Sequence, residues 1–201
     1  MHAPVKLFLA SSNPGKLEEF RALAQTAVPH VAVELELLPK FDSLSPFEEN
    51  APTFAENAAG KALHYSRLRK GLVCADDSGL VVPALGGAPG VQSARYAGAE
   101  ASNAERIAKL LQELREKSGA DRAAHFVCAI ALAEAGRAVA IVTGRVDGEI
   151  LESLRGSGGF GYDPVFCFPP LKKTFAELSA QDKNEHSHRG KAFRKLLGAI
   201  G

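Results

Sequence analysis

The chain has 201 residues, of which 46% are hydrophobic and 23% charged, with a formal net charge of +1. That balance suits a globular enzyme with a sizeable core, and it excludes wholesale charge attraction to nucleic acid or an anionic membrane. No run reaches the roughly 18 apolar residues of a membrane span. Met1-His2-Ala3-Pro4 leads straight into a short strand, without the pattern of a signal peptide. Cys74, Cys128 and Cys167 sit in apolar runs without metal-ligand spacing. That usage predicts reduced thiols in a cytoplasmic protein.

Val5-Lys6-Leu7-Phe8-Leu9-Ala10 reads as a strand, and Ser11-Ser12-Asn13-Pro14-Gly15-Lys16 as a polar loop. Leu17, Phe20, Leu23 and Ala24 then recur at helical spacing. The helix start, with its free N–H groups and a lysine, is a candidate anion site. An ordinary capped helix with a solvated lysine fits equally well, and Leu17 after Gly15-Lys16 departs from a Walker A loop. Val31 to Leu38 alternates as a half-buried strand. A loop from Pro39 to Pro52 carries Glu48 and Glu49. Thr53-x-x-Glu56 then opens a helix to about Arg69 with a capping box. The two acids either compensate the helix dipole or ligate a metal.

Gly71 to Asp77 reads as a buried strand that ends in Asp76-Asp77-Ser78-Gly79. Asp-Ser-Gly is good turn chemistry. Adjacent carboxylates also repel unless a cation compensates them, and they suit Mg²⁺. Taken alone, the stretch leaves both readings open. Leu85 to Val91 is rich in helix and strand breakers, and Ser102-x-x-Glu105 caps a helix ending near Lys117. Ala124 to Leu132 and Arg137 to Val146 form a hairpin around Glu134-Ala135-Gly136, so the sheet is partly antiparallel. Asp147-Gly148 reads as a further turn. Gly156 to Pro164 is a glycine loop holding Phe160, Tyr162 and Asp163, where an exposed aromatic can stack on a base. Phe166-Cys167-Phe168 is a short strand. Lys183, His188, Arg189 and Lys191 make a local positive cluster before a final helix with Phe193, Leu196 and Leu197.

Together these parts fit a nucleotide phosphate site with Mg²⁺, where metal and cations neutralise charge at phosphorus and a carboxylate orients a water. Six blocks carry a family resemblance. The first three are Ser12-Asn13-x-x-Lys16-x-x-Glu19, Thr53-Phe54-x-Glu56-Asn57-Ala58-x-x-Lys61-Ala62 and Ala75-Asp76-Asp77-Ser78-Gly79-Leu80. The others are Pro89-Gly90-Val91-x-Ser93-Ala94-Arg95-Tyr96, Gly159-Phe160-Gly161-Tyr162-Asp163-Pro164, and Lys183-Asn184 with Ser187-His188-Arg189. In this order, over nearly the whole chain, they resemble the inosine triphosphate pyrophosphatase (Ham1-like) family of non-canonical purine nucleotide pyrophosphatases.

The resemblance implies one α/β domain over residues 1–201. It would be elongated and two-lobed around a long mixed sheet with flanking helices, with the active-site cleft between the lobes. It implies hydrolysis of ITP, dITP or XTP to the monophosphate and pyrophosphate, with Mg²⁺ as cofactor, in a homodimer without a stable nucleic-acid or membrane partner. Ser11, Ser12, Asn13, Pro14, Gly15 and Lys16 would hold the triphosphate. Asp77 would be the proton acceptor and a metal ligand, with Glu48 or Glu49 as the second acid. The family's usual glycine after that acidic pair is absent from Glu49-Asn50-Ala51-Pro52, which leaves the choice of acid open. Ser78 would touch substrate, Phe160, Gly161, Tyr162 and Asp163 would hold the base, and Lys183, His188 and Arg189 would line the base and phosphate side. His188 or Arg189 facing the 6-carbonyl would leave a donor unpaired against adenine, worth roughly 10⁴-fold in rejection. Two alternatives are a Maf-type pyrimidine nucleotide pyrophosphatase, which shares the strand–loop–helix start, and a nucleotide sensor without catalysis.

Overall fold

The computed structural model describes residues 4–11, 14–26, 32–117 and 121–200. The chain runs β1 (Val5–Leu9), α1 (Pro14–Thr26), β2 (Val33–Leu37), α2 (Phe54–Leu68), β3 (Leu72–Val81) and α3 (Asn103–Glu116). It continues β4 (Ala123–Glu134), β5 (Arg137–Ile150), β6 (Phe166–Phe168), β7 (Lys173–Thr174), α4 (Ala180–His186) and α5 (His188–Ile200). The fold is α/β. Among the described residues, seven strands hydrogen-bond in the order β2-β1-β3-β4-β5-β6-β7. β1 pairs in parallel with β2 and β3, whereas β6 pairs antiparallel with β5 and β7, so the sheet is mixed.

The helices begin where side-chain caps dictate. Thr53 accepts the Glu56 N–H at the start of α2, and Ser102 forms a full capping box with Glu105 at the start of α3. Ile107, Leu110, Leu111 and Leu114, at helical spacing on α3, are all buried. Val31 lies outside the described residues, and β2 begins at Val33.

Two expected turns are strand instead. β3 does not end at Asp77 but runs through Ser78 and Gly79 to Val81. Likewise β5 passes through Asp147-Gly148 to Ile150. A Cβ on Gly148 would lie 2.4 Å from the Cys167 carbonyl oxygen and 2.5 Å from the Phe166 ring, so this glycine marks the close pass of β6 rather than a reversal.

The chain divides into two compact units. The first comprises Met1–Asp77, Cys128–Gly144 and His188–Gly201; the second comprises Ser78–Val127 and Arg145–Ser187. In the first unit a sheet face carrying Leu7, Leu9 and Cys74 packs with Leu17, Phe20 and Leu23 of α1 and with Phe193, Leu196 and Leu197 of α5. The rings of Phe20 and Phe193 meet at 5.3 Å. Phe8, Val73 and Ala75 share a cluster with Ala58, Ala62 and Tyr65 of α2. The second unit gathers Leu80, the α3 stripe, Phe126, Tyr162, Phe166 and Phe175 into its own core.

Candidate functional site

In the first unit the site grows out of strand alternation. Consecutive residues of a strand face opposite ways. Asp76 therefore follows Cys74 toward α1 and α5, while Asp77 follows Ala75 toward α2. Asp76 is buried, and its Oδ1 takes a 2.9 Å bond from Lys16 Nζ in the first turn of α1. Its Oδ2 lies 3.4 Å from Arg189 Nη2, and Arg189 Nη1 donates to Glu19 at 2.5 Å. Burial alone would raise the Asp76 carboxyl, but Lys16, Arg189 and Lys61 hold it far below the usual carboxylate range.

Asp77 has the opposite character. Burial pushes its carboxyl up to about 6, with the negative charges of Glu49 and Asp76 adding to the rise. A 3.0 Å bond from Asn57 Nδ2 and the positive charge of Lys61 oppose it. Glu49 is ion-paired with Lys61, and Lys61 is 9% exposed. Glu48 is exposed and accepts from Asn50 Nδ2 at 2.9 Å. Of the two acids, it is Glu49 whose field reaches Asp77. Among the described residues no cluster of three or more His, Cys, Asp or Glu is placed to hold a metal ion. The donor set at Asp77 and Glu49 nonetheless fits Mg²⁺, which takes one or two carboxylates and completes its shell with water and substrate oxygens.

The second unit holds the aromatic loop. Asp163 is buried, and its Oδ2 accepts the Phe160 N–H at 2.8 Å and Lys183 Nζ at 2.6 Å. Lys183 Nζ also stands 4.5 Å from the centre of the Phe160 ring, which is 51% exposed. Gly159 (φ +71°) leaves no space for a Cβ, which would fall 2.1 Å from Asp163 Oδ2; Gly161 has φ +61°. The loop is thus bonded to Asp163 and presents the Phe160 ring to solvent.

The sequence-derived candidates distribute as follows. Ser11 follows β1, Pro14 and Gly15 open α1, and Ser12 and Asn13 lie outside the described residues. Ser78 is half-buried beside Asp77 in β3. Phe160, Asp163 and Lys183 come together. Tyr162 does not present itself beside Phe160: it is 4% exposed, and its hydroxyl donates to the Ser93 carbonyl in the core. His188 is buried at the start of α5. Arg189 lies between Asp76 and Glu19, where it is 2% exposed. Asn57 and Lys61 were read from sequence only as motif letters. Their spacing of four on the buried side of a helix was the available signal.

In the first unit Lys16 and Lys61 gather with Asp76, Asp77 and Glu49, and in the second an exposed ring stands on a glycine mount; each suits one part of a phosphate-bearing aromatic ligand, in an α/β protein. The chain belongs to the Ham1 family, whose sequence profile matches residues 7–199. A dITP/XTP pyrophosphatase of Geobacillus kaustophilus (strain HTA426) is 50% identical over 191 residues, covering 95% of this chain and 92% of the relative. One from Gloeobacter violaceus (strain ATCC 29082 / PCC 7421) is 49% identical over 198 residues, covering 95% and 92%. The solved structure of a HAM1 protein from Coxiella burnetii superposes with a TM-score of 0.87 at 42% identity, over 98% of both chains.

Proposed function

We propose that this protein hydrolyses non-canonical purine nucleoside triphosphates, ITP, dITP and XTP, to the monophosphate and pyrophosphate. The observation that carries the reading is the split of the acid pair. Asp76 is held well below the usual carboxylate range by Lys16 and Arg189, while burial raises the Asp77 carboxyl to about 6 in the metal-free protein, so the two acids are suited to different roles. The Ham1 family match and the activities named for its relatives favour this reading over a pyrimidine-directed enzyme or a sensor.

Asp77 takes the proton of a water that attacks the α-phosphorus, and the bond from that phosphorus to the bridging oxygen breaks to release pyrophosphate. Glu49 and Asp77 would hold Mg²⁺, which when bound lowers the pKa of water and offsets charge on the phosphate oxygens. The helix start offers the N–H groups of Gly15 and Lys16 to the phosphates. Phe160 stacks on the purine and Asp163 with Lys183 orients it, and the selectivity of the site rests on the 6-carbonyl, an acceptor where adenine has a donor.

Mg²⁺ dependence, a homodimer and a cytoplasmic location belong to the same proposal. The free, buried Cys74, Cys128 and Cys167 agree with the last. Among the described residues no helix is long and apolar enough to cross a membrane. The test is incubation with dITP, dATP and dGTP in MgCl₂ and separation of products. Pyrophosphate from dITP with little turnover of the other two is expected; orthophosphate, or equal rates on all three, overturns the reading.

A further inference from the structure

Asn57 is a residue whose side chain ties the acidic loop to β3. It is 1% exposed, in the first turn of α2. Its Oδ1 accepts the Ala51 N–H at 2.9 Å, on the loop that carries Glu49 two residues earlier. Because that oxygen accepts, the amide is oriented, and Nδ2 must face the other way. Nδ2 donates to Asp77 Oδ2 at 3.0 Å and also approaches the Ala51 carbonyl at 3.4 Å. One turn further along α2, Lys61 pairs with the Glu49 carboxylate. The backbone of the acidic loop is thus held by Asn57 and its side chain by Lys61, both anchored on one helix, while the same carboxamide grips Asp77.

We propose that Asn57 is a positioning residue that fixes the acidic loop against β3, so that Glu49 and Asp77 form one pre-set receptor for a divalent cation. The inference rests on the nucleotide-hydrolase reading. Two carboxylates that repel each other need partners that hold them in place. An amide does so without adding a charge that would compete with the cation. Lysine alone could not serve, because it neutralises Glu49 and leaves the Ala51 N–H without the link to Asp77 that Asn57 supplies. Outer groups of this kind typically contribute 10–100-fold to metal affinity.

The test uses MnCl₂ as the probe, titrated by calorimetry into metal-free protein, alongside steady-state kinetics on dITP. Asn57→Asp keeps the acceptor for Ala51 and replaces the donor to Asp77 with a like charge. Asn57→Ala removes both links. Ala51→Pro removes the loop N–H, while fixing φ there and restricting Asn50, and leaves the Asn57 donor to Asp77 in place. All three are expected to weaken Mn²⁺ binding, the Asn57 variants by about 10–100-fold, with KM for dITP at saturating Mn²⁺ unchanged. Unaltered Mn²⁺ affinity in all three, or a raised KM with Mn²⁺ affinity intact, overturns the role of Asn57. If an Asn57 variant melts without a cooperative transition, Ala51→Pro decides alone, since it leaves the buried Asn57 side chain itself in place. The calorimetric arm does not depend on turnover. Absence of dITP hydrolysis in the unaltered protein counts against the functional reading, while the Mn²⁺ comparison still decides the role of Asn57.

Discussion

A proton on Asp77 has opposite consequences for stability and for chemistry. In the unfolded chain this carboxyl ionises near 3.8, and in the folded chain at about 6. Between those values the folded chain binds the extra proton. The contribution of Asp77 to stability therefore declines as pH rises through that window and stays low above it. The shift corresponds to a cost of up to about 3 kcal/mol at neutral pH. Asp77→Asn removes the ionisable group while Asn57 can still donate to the new amide oxygen. In EDTA at pH 7 the variant should be more stable than the parent by about 1–3 kcal/mol. That gain should shrink toward pH 4, read from urea melts at each pH, and turnover of dITP should be lost. A parent that is equally stable at pH 4 and pH 7 relative to the variant contradicts the raised carboxyl. Asp76→Asn has the reverse sign. It leaves Arg189 and Lys16 facing an uncharged group in a buried setting, and loss of one partner of a buried ion pair costs about 3–5 kcal/mol. Its denaturation midpoint should fall well below that of Asp77→Asn.

At the scale of the element, β3 decides how the site is built. Asp-Ser-Gly carries local turn preference, and nothing within the stretch opposes it. What keeps the strand extended lies far away in sequence: Lys16 is 60 residues earlier and Arg189 is 113 residues later. The Leu80 N–H donates to Ser93 Oγ, whose own hydroxyl donates to the Gly90 carbonyl. Gly79 is there for room rather than for a reversal. A Cβ at that position would lie 2.3 Å from Ser93 Oγ and 2.6 Å from the Gly90 oxygen. Gly79→Ala should therefore cost about 1–3 kcal/mol in chemical denaturation. A reversal at Gly79 would have left that space open and the alanine tolerated. The capped helices and the hairpin were legible because their signals are local, in Thr53, Ser102 and the turn at Ala135-Gly136. The course of β3 through Ser78-Gly79 and of β5 through Asp147-Gly148 was not, because the deciding partners are non-local.

Over the whole molecule, the two compact units separate the chemistry by kind. The first contains Lys16, Glu49, Asn57, Lys61, Asp77 and Arg189, which are charges and their tethers. The second contains the ring of Phe160 with Asp163 and Lys183. The blocks that carry the family resemblance name residues of both units in sequence order, which is why the reaction class was legible from one chain. The pairing of Arg189 with Asp76 and the burial of Tyr162 were not, since motif letters report which residue is present and not which neighbour it meets. The division gives a prediction that needs both units intact. Truncating the exposed ring in Phe160→Ala removes a stacking surface worth about 1–3 kcal/mol per base. KM for dITP should rise roughly 5–150-fold by that amount. The Mn²⁺ affinity of the free enzyme should stay as it was, because Glu49, Asp77 and their anchors on α2 are untouched. Asn57→Asp should show the mirror pattern, with weakened Mn²⁺ and unaltered KM at saturation. Measuring both constants on both variants sets the two patterns against each other, and a single variant that moves both constants together would show that the units do not divide the labour in this way.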